Sequence, residues 1–282
     1  VVAEGSPTRE LSRVEVPYEW RERFGNLPAV YVRYCDAVNL LEAKRVRLVL
    51  QQEYSDAETF NLVAEKKGAK YPDEVVYLVA HLDSVYGVQG ALDNAAGSAL
   101  AVAVAKALSR GSLKRTLRVV LFSGEELGLR GSLAHAEQHR SELKSAVAVV
   151  NLDVHGAALG STSVIVTGSK SLRHTVEFIA KRLGIRANVS EDVMSSDGTS
   201  FAKEGVPVVN IFRSSGAAGS AHTVKDAPEL LHPLAFELPG ILALETAREI
   251  VNAEEVPFER EIPDEIKRKV DDYFKKRLGI LE

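Results

Sequence analysis

Four near-continuous apolar runs leave this chain little choice of fold. They are "EVVYLVAHLDS" from Glu74, "TLRVVLFSG" from Thr116, "VAVVNLD" from Val147 and "VPVVNIF" from Val206. A strand that is apolar on every residue must be covered on both faces. Helical patterns lie between and after the runs: "NAAGSALAVAVAKALSR", "GSLAHAEQHRSELKSA", "LRHTVEFIAKRLG" and "HPLAFELPGILALETAREIVNA" around Pro239. Strands alternating with helices make the fold class α/β, a mixed, mostly parallel central sheet with helices on both faces. Two further strands are expected at Val46–Gln52 and Thr59–Glu65, as a neighbouring pair, and one more at "SVIVTG".

The 282 residues suit one sizeable domain with small attachments. Residues 1–58 read as a separate N-terminal element, with a Gly/Pro turn, a short strand and a short helix in "GNLPAVYVRYCDAVNLLEA". Residues 59–255 form the main domain. Residues 256–282 form a charged amphipathic helix whose stripe of Ile266, Val270, Tyr273 and Phe274 could dock on its own domain or on a second subunit, which leaves a homo-oligomer open. A net charge of −4 with both signs scattered argues against a nucleic-acid partner or a membrane-surface patch. No apolar run is expected to cross a bilayer, and no signal-peptide pattern is visible, which slightly favours the cytoplasm. The chain opens on Val1 rather than Met, so processing is open too. A single Cys35 excludes a disulfide framework and a cysteine-rich zinc module.

In sheets of this class ligands bind beyond the carboxyl ends of the strands. That rim collects His81 and Asp83 after one strand, Asp93 before the small-residue helix, Glu125 and Glu126 after the next strand, and Asp153 after another. Singly these have bland readings. Asp93 could cap a helix, and the glutamates could sit at the positive end of one. Together they are a set of buried carboxylates with no Lys or Arg at the matching strand ends, and unpaired buried carboxylates are very costly. A divalent metal site resolves the conflict. Oxygen and imidazole donors without thiolate suit zinc, with cobalt or manganese as alternatives, and several carboxylates suggest two ions. Residues two apart in a strand face the same side, so Asp83 could accept a hydrogen bond from the far nitrogen of His81.

Five motifs, "HLDS", "GALDNAAGSA", "SGEELGLRGS", "NLDVHG" and "SAHTVKD", occur in order between His81 and Asp226, over half the chain. In this the chain resembles the dizinc aminopeptidases, a family that includes bacterial leucyl aminopeptidases and glutamate carboxypeptidases. The resemblance implies that His81 and Asp153 hold one zinc, Glu126 and His222 the other, and that Asp93 bridges both. It implies that Glu125 is the general base, taking a proton from the attacking water and returning it to the leaving amine. It further implies a cis peptide bond at Asp93–Asn94 and a peptide substrate with a free N-terminus.

Departures from the family pattern are local. Leu92 stands where relatives often carry an additional Asp. Gly198 in "SSDGTSF" replaces a His, and Ala221 stands where some relatives place an oxyanion-steadying Tyr. The N-terminal element looks like the closing part of a protease-associated domain. Among other residues, His135 and His139 are four apart on a helix but lack a His-Glu-x-x-His pattern. His155 could line the pocket, and His174 and His232 read as surface or packing residues. Gly216–Gly219 reads as a flexible loop near the substrate. Ser123 and Ser132 lack a nucleophile-elbow pattern, which disfavours a serine hydrolase. The leading expectation is a zinc aminopeptidase. A carboxypeptidase for acidic C-termini, a glutaminyl-cyclase-like enzyme and a non-catalytic binding module are the alternatives.

Overall fold

The computed structural model describes residues 1–12, 16–25, 27–51, 53 and 55–280. Its strands are β1 Val2–Ala3, β2 Tyr31–Val32, β3 Leu62–Lys66, β4 Tyr71–His81, β5 Arg115–Phe122, β6 Ala146–Leu152, β7 Ser161–Thr167, β8 Ala187–Glu191 and β9 Val208–Ser214. Its helices are α1 Tyr18–Phe24, α2 Tyr34–Leu41, α3 Ala96–Ser109, α4 Arg130–Gln138, α5 Arg140–Leu143, α6 Lys170–Arg182, α7 Gly198–Lys203, α8 Leu234–Asn252 and α9 Asp264–Tyr273.

The four apolar runs are β4, β5, β6 and β9, and they form the parallel centre of a seven-stranded sheet ordered β3-β5-β4-β6-β9-β7-β8. β3 runs antiparallel on β5, and β7 runs antiparallel on β9. One face buries Val76, Leu78, Val150 and Ile211 under α3, α6 and α8, through Leu100, Val176 and Leu242. The other buries Tyr77, Val120, Phe122 and Val149 under α4, α7 and α9, through Ala136, Phe201 and Val270. Cover on both faces is what continuous apolar strands require.

Several expectations are corrected in detail. Residues 46–51 form no strand. Val46, Leu48, Val49 and Leu50 are exposed and have no partner strand among the described residues; Gln52 lies outside them. The strand expected from Thr59 begins at Leu62, and its partner is β5. The helical run after Gly131 breaks at His139 into α4 and α5. Ala91–Ser109 is long and apolar enough to span a membrane by length and composition, against expectation. Its apolarity has a local cause, because over half of it is buried inside the fold, with Leu100, Ala101 and Val104 against the sheet.

The N-terminal element pairs β1 with β2 in parallel and is tied to the main domain through Arg9, which donates to the carbonyl of Gly219, and Glu10, which pairs with Lys225. The C-terminal helix expected over 256–282 begins only at Asp264, residues 256–263 being irregular, and it docks on its own domain: Ile266, Val270 and Phe274 are buried in the second core cluster.

Candidate metal centre

The carboxyl ends of β4, β5, β6 and β9 all open on one edge of the sheet, because these strands are parallel neighbours. His81 is the last residue of β4, and its main-chain oxygen accepts from the Ser98 hydroxyl at 2.6 Å. Asp153 directly follows β6. Asp93 sits in a kinked, non-helical turn, Ala91–Ala95, that leads into α3. Glu125 and Glu126 follow β5 before α4, and His222 lies on the loop after β9.

Two clusters result. His81 Nε2 stands 3.1 Å from Asp93 Oδ1 and 3.2 Å from Asp153 Oδ1. His222 Nε2 stands 3.3 Å from Asp93 Oδ2 and 2.9 Å from Glu126 Oε2. Asp93 therefore turns one oxygen to each cluster. In each, one donor atom per residue lies within 4.8 Å of the others. Glu126 Oε1 is buried and has no hydrogen-bond partner among the described residues. Among the described residues no Lys or Arg forms an ion pair with Asp93, Glu126 or Asp153.

The backbone around Asp93 is fixed from several sides. The amides of Leu92 and Asp93 donate to the carboxylate of the buried Asp226 at 2.7 and 3.1 Å. The Asp93–Asn94 peptide bond is cis. Asn94, rather than Asp93, caps the helix: its side-chain oxygen accepts from the Gly97 amide at 3.0 Å, and its amide donates to Leu152 O at 2.9 Å.

Asp83 differs from the expectation. His81 Nδ1 is nearer the main-chain oxygen of Asp83, at 3.1 Å, than its carboxylate, at 3.6 Å. The carboxylate accepts instead from the amides of Glu125 and Glu126, at 3.2 and 3.3 Å. Burial raises the Asp83 pKa, but the neighbouring His81 imidazole and the hydrogen bonds from those two amides outweigh burial and hold it low.

Charge at the site follows from burial and contact. Burial opposes ionisation of Asp93, yet hydrogen bonds from His222 and His81 hold its carboxyl well below the usual range. Burial disfavours the charged form of His81, and Asp153 more than reverses this. Asp93 and Glu126 push His222 up to about 10. Glu125 behaves differently. Loss of hydration pushes its carboxyl well above the usual range, and repulsion from Asp197, Asp153 and Glu126 adds to this against the pull of His81. Burial likewise pushes Asp197 up to about 7.

Other candidates take structural places. His135 is buried against Tyr77, Phe122 and Phe201, and His139 pairs with Glu142 at 2.9 Å. His155 Nε2 bonds Ile211 O at 2.9 Å. Ser132 shares a hydrogen bond with Ser200. Gly216–Ser220 is a 3-10 turn rather than an irregular loop. Gly198 has a steric cause: a Cβ there would stand 2.5 Å from Val208 Cγ1. Asp226 and Asp197 were not singled out from the sequence. Both sit inside quoted motifs, "SAHTVKD" and "SSDGTSF", and that was the available signal.

A family model described as Peptidase family M28 matches residues 61–247. Carboxypeptidase Q of Pongo abelii is 31% identical over 202 residues, 67% of this chain and 42% of that protein. Aminopeptidase YwaD of Bacillus subtilis (strain 168) is 27% identical over 261 residues, 88% of this chain and 56% of that protein. Among solved structures, BSAP, a zinc aminopeptidase from Bacillus subtilis, superposes with a TM-score of 0.63 at 25% identity, covering 73% of this chain and 53% of that one. The chain spans about half the length of these curated relatives.

Proposed function

The chain belongs to peptidase family M28, and from that premise we propose that it is a zinc-dependent exopeptidase, an aminopeptidase that shortens peptides from a free amino end. The observation that carries the reading is Asp93, which turns one oxygen to each of two imidazole–carboxylate clusters while Glu125 stands apart with its own desolvated carboxyl. The donor set fits zinc. It combines imidazole nitrogen with carboxylate oxygen, lacks thiolate, and leaves the buried Glu126 Oε1 without a protein partner. His81, Asp93 and Asp153 would hold one ion, and Asp93, Glu126 and His222 a second; cobalt or manganese suit the same donors.

When bound, zinc supplies Lewis-acid polarisation of the scissile carbonyl and lowers the pKa of water. The chain's own part is positioning and proton movement. Glu125 has a carboxyl raised by burial, which suits it to take a proton from the attacking water and hand it to the departing amine. Asp83 holds the amides of Glu125 and Glu126 with one carboxylate, so base and ligand are fixed on one turn. The amino-end polarity is supported by the likeness to the aminopeptidases YwaD and BSAP. The identity to Carboxypeptidase Q favours a second reading, trimming from the carboxyl end. That reading needs a cation near the scissile bond.

The test is digestion, with zinc and with chelator, of an unblocked peptide, its N-acetylated twin and its C-amidated twin, read by mass spectrometry. Shortening from the amino end, blocked by acetylation and indifferent to amidation, is the expected result. Loss from the carboxyl end, blocked by amidation, overturns the aminopeptidase reading in favour of the second. In the same assay Glu125→Gln should lower turnover about 10²–10⁴-fold with zinc content unchanged.

A further inference from the structure

The two clusters are held in different ways. His81, Asp93 and Asp153 are buried on β4, the turn before α3 and the end of β6. His222 has a side chain 35% exposed and a left-handed φ of 61°, and it lies on the connection between β9 and a turn at Pro228–Leu230. Part of its support comes from the other end of the chain. Arg9 Nε donates to Gly219 O at 3.0 Å, and Glu10 Oε1 pairs with Lys225 Nζ at 3.1 Å. These contacts flank His222, three residues before it and three after. Arg9 is itself steadied by Glu4, whose carboxylate lies 3.9 Å away. Glu4 is buried, and it accepts from the Tyr31 hydroxyl at 2.9 Å and from the Ser6 amide at 3.2 Å. Tyr31 belongs to β2, which pairs with β1. A line of contacts therefore runs from the β1–β2 ladder through Glu4 and Arg9 to the carbonyl of Gly219.

We propose that residues 4–10 clamp the loop that carries His222, so that Arg9 and Glu10 are positioning residues for one half of the metal centre. The clamp sets how tightly Asp93, Glu126 and His222 hold their ion, while the half formed by His81, Asp93 and Asp153 stands on the sheet. A ligand on a loop that must be ordered at the moment of binding loses affinity relative to one already in place. Exposed ion pairs contribute little to global stability, so the effect of the clamp is local. The proposal rests on the two-ion reading of the site.

The experiment is a competitive titration of the metal-free full chain with zinc against a chromogenic chelator. Wild type should take up two ions in separable steps. In an Arg9→Ala/Glu10→Ala double variant the tighter step should be unchanged and the weaker step should loosen by about tenfold, at the low end for groups that orient metal ligands. Arg9→Lys/Glu10→Asp, which keeps both charges, should recover most of the loss. Two unchanged steps in the double alanine variant overturn the proposal. So does equal weakening of both steps, which marks a role in the fold at large. Uptake of a single ion by wild type overturns the two-ion reading itself, an outcome visible before any variant is compared.

Discussion

His135 shows how burial among aromatic rings sets the charge of an imidazole. Its ring is buried, packs at 5.6 Å from Phe122 and 4.4 Å from His139, and its Nε2 has no hydrogen-bond partner among the described residues. Burial, then repulsion from His139 and Arg118, pushes its pKa down to about 4, with Glu142 opposing weakly. The unfolded chain titrates this imidazole near 6.5. Between the two values the unfolded state binds more protons, so stability is lost as pH falls from about 6.5 and the loss is complete below about 4. At pH 5 the loss through this residue is about 2 kcal/mol. Denaturant unfolding of metal-free wild type and His135→Phe at pH 7.5 and 5.0 checks this: the variant should lose about 2 kcal/mol less across the interval. Equal losses would mean that His135 is not held neutral. Of the residues that meet around Asp93, His81, Glu126 and Asp153 were legible because they end or follow strands of one parallel sheet, whereas His222, on the loop beyond β9, came only from the family resemblance. Asp226 was not legible, since a carboxylate that accepts main-chain amides leaves no periodic mark in a sequence.

At the scale of elements, legibility followed burial. β4, β5, β6 and β9 were readable because both faces are covered, whereas β8, "ANVSE", is half exposed and polar and carries no such signal. The run at Val46–Leu50 reads as a strand by composition, yet strand residues need a partner ladder, and none is present among the described residues. The C-terminal stripe correctly marked a helix but could not name its target. α9 lies on the face of the sheet covered by α7, with Ile266, Val270 and Phe274 buried and the Tyr273 hydroxyl 2.8 Å from that of Ser195. If this docking is integral to the fold, Phe274→Ala should destabilise by about 3–5 kcal/mol, as large-to-small core changes do. Tyr273→Phe, which removes one hydrogen bond, should cost about 1 kcal/mol. Equilibrium unfolding of both variants decides the matter, and a Phe274→Ala cost under 1 kcal/mol would show the helix to be an appendage.

At the scale of the molecule, the sheet order is what creates the candidate metal centre. The order β5-β4-β6-β9 is not sequential, so no local pattern announces it, and it is what gathers the carboxyl ends of four strands at one edge. The donors thus come from residues spread between 81 and 222, and the unfolded chain does not assemble them. Folding brings Asp93, Glu126 and Asp153 together against their mutual repulsion, and an ion that binds only the folded form stabilises it by mass action, about 2.7 kcal/mol at a hundredfold excess over Kd. Chelation should therefore lower the Tm, and added zinc should restore it. Two substitutions separate this linkage from a general salt effect. Asp93→Asn removes the residue shared by both clusters and should abolish most of the zinc-dependent rise in Tm. Glu125→Gln leaves every donor in place and should keep the rise. A Tm indifferent to chelator in wild type, or a rise retained in Asp93→Asn, would break the link between the fold and the ion.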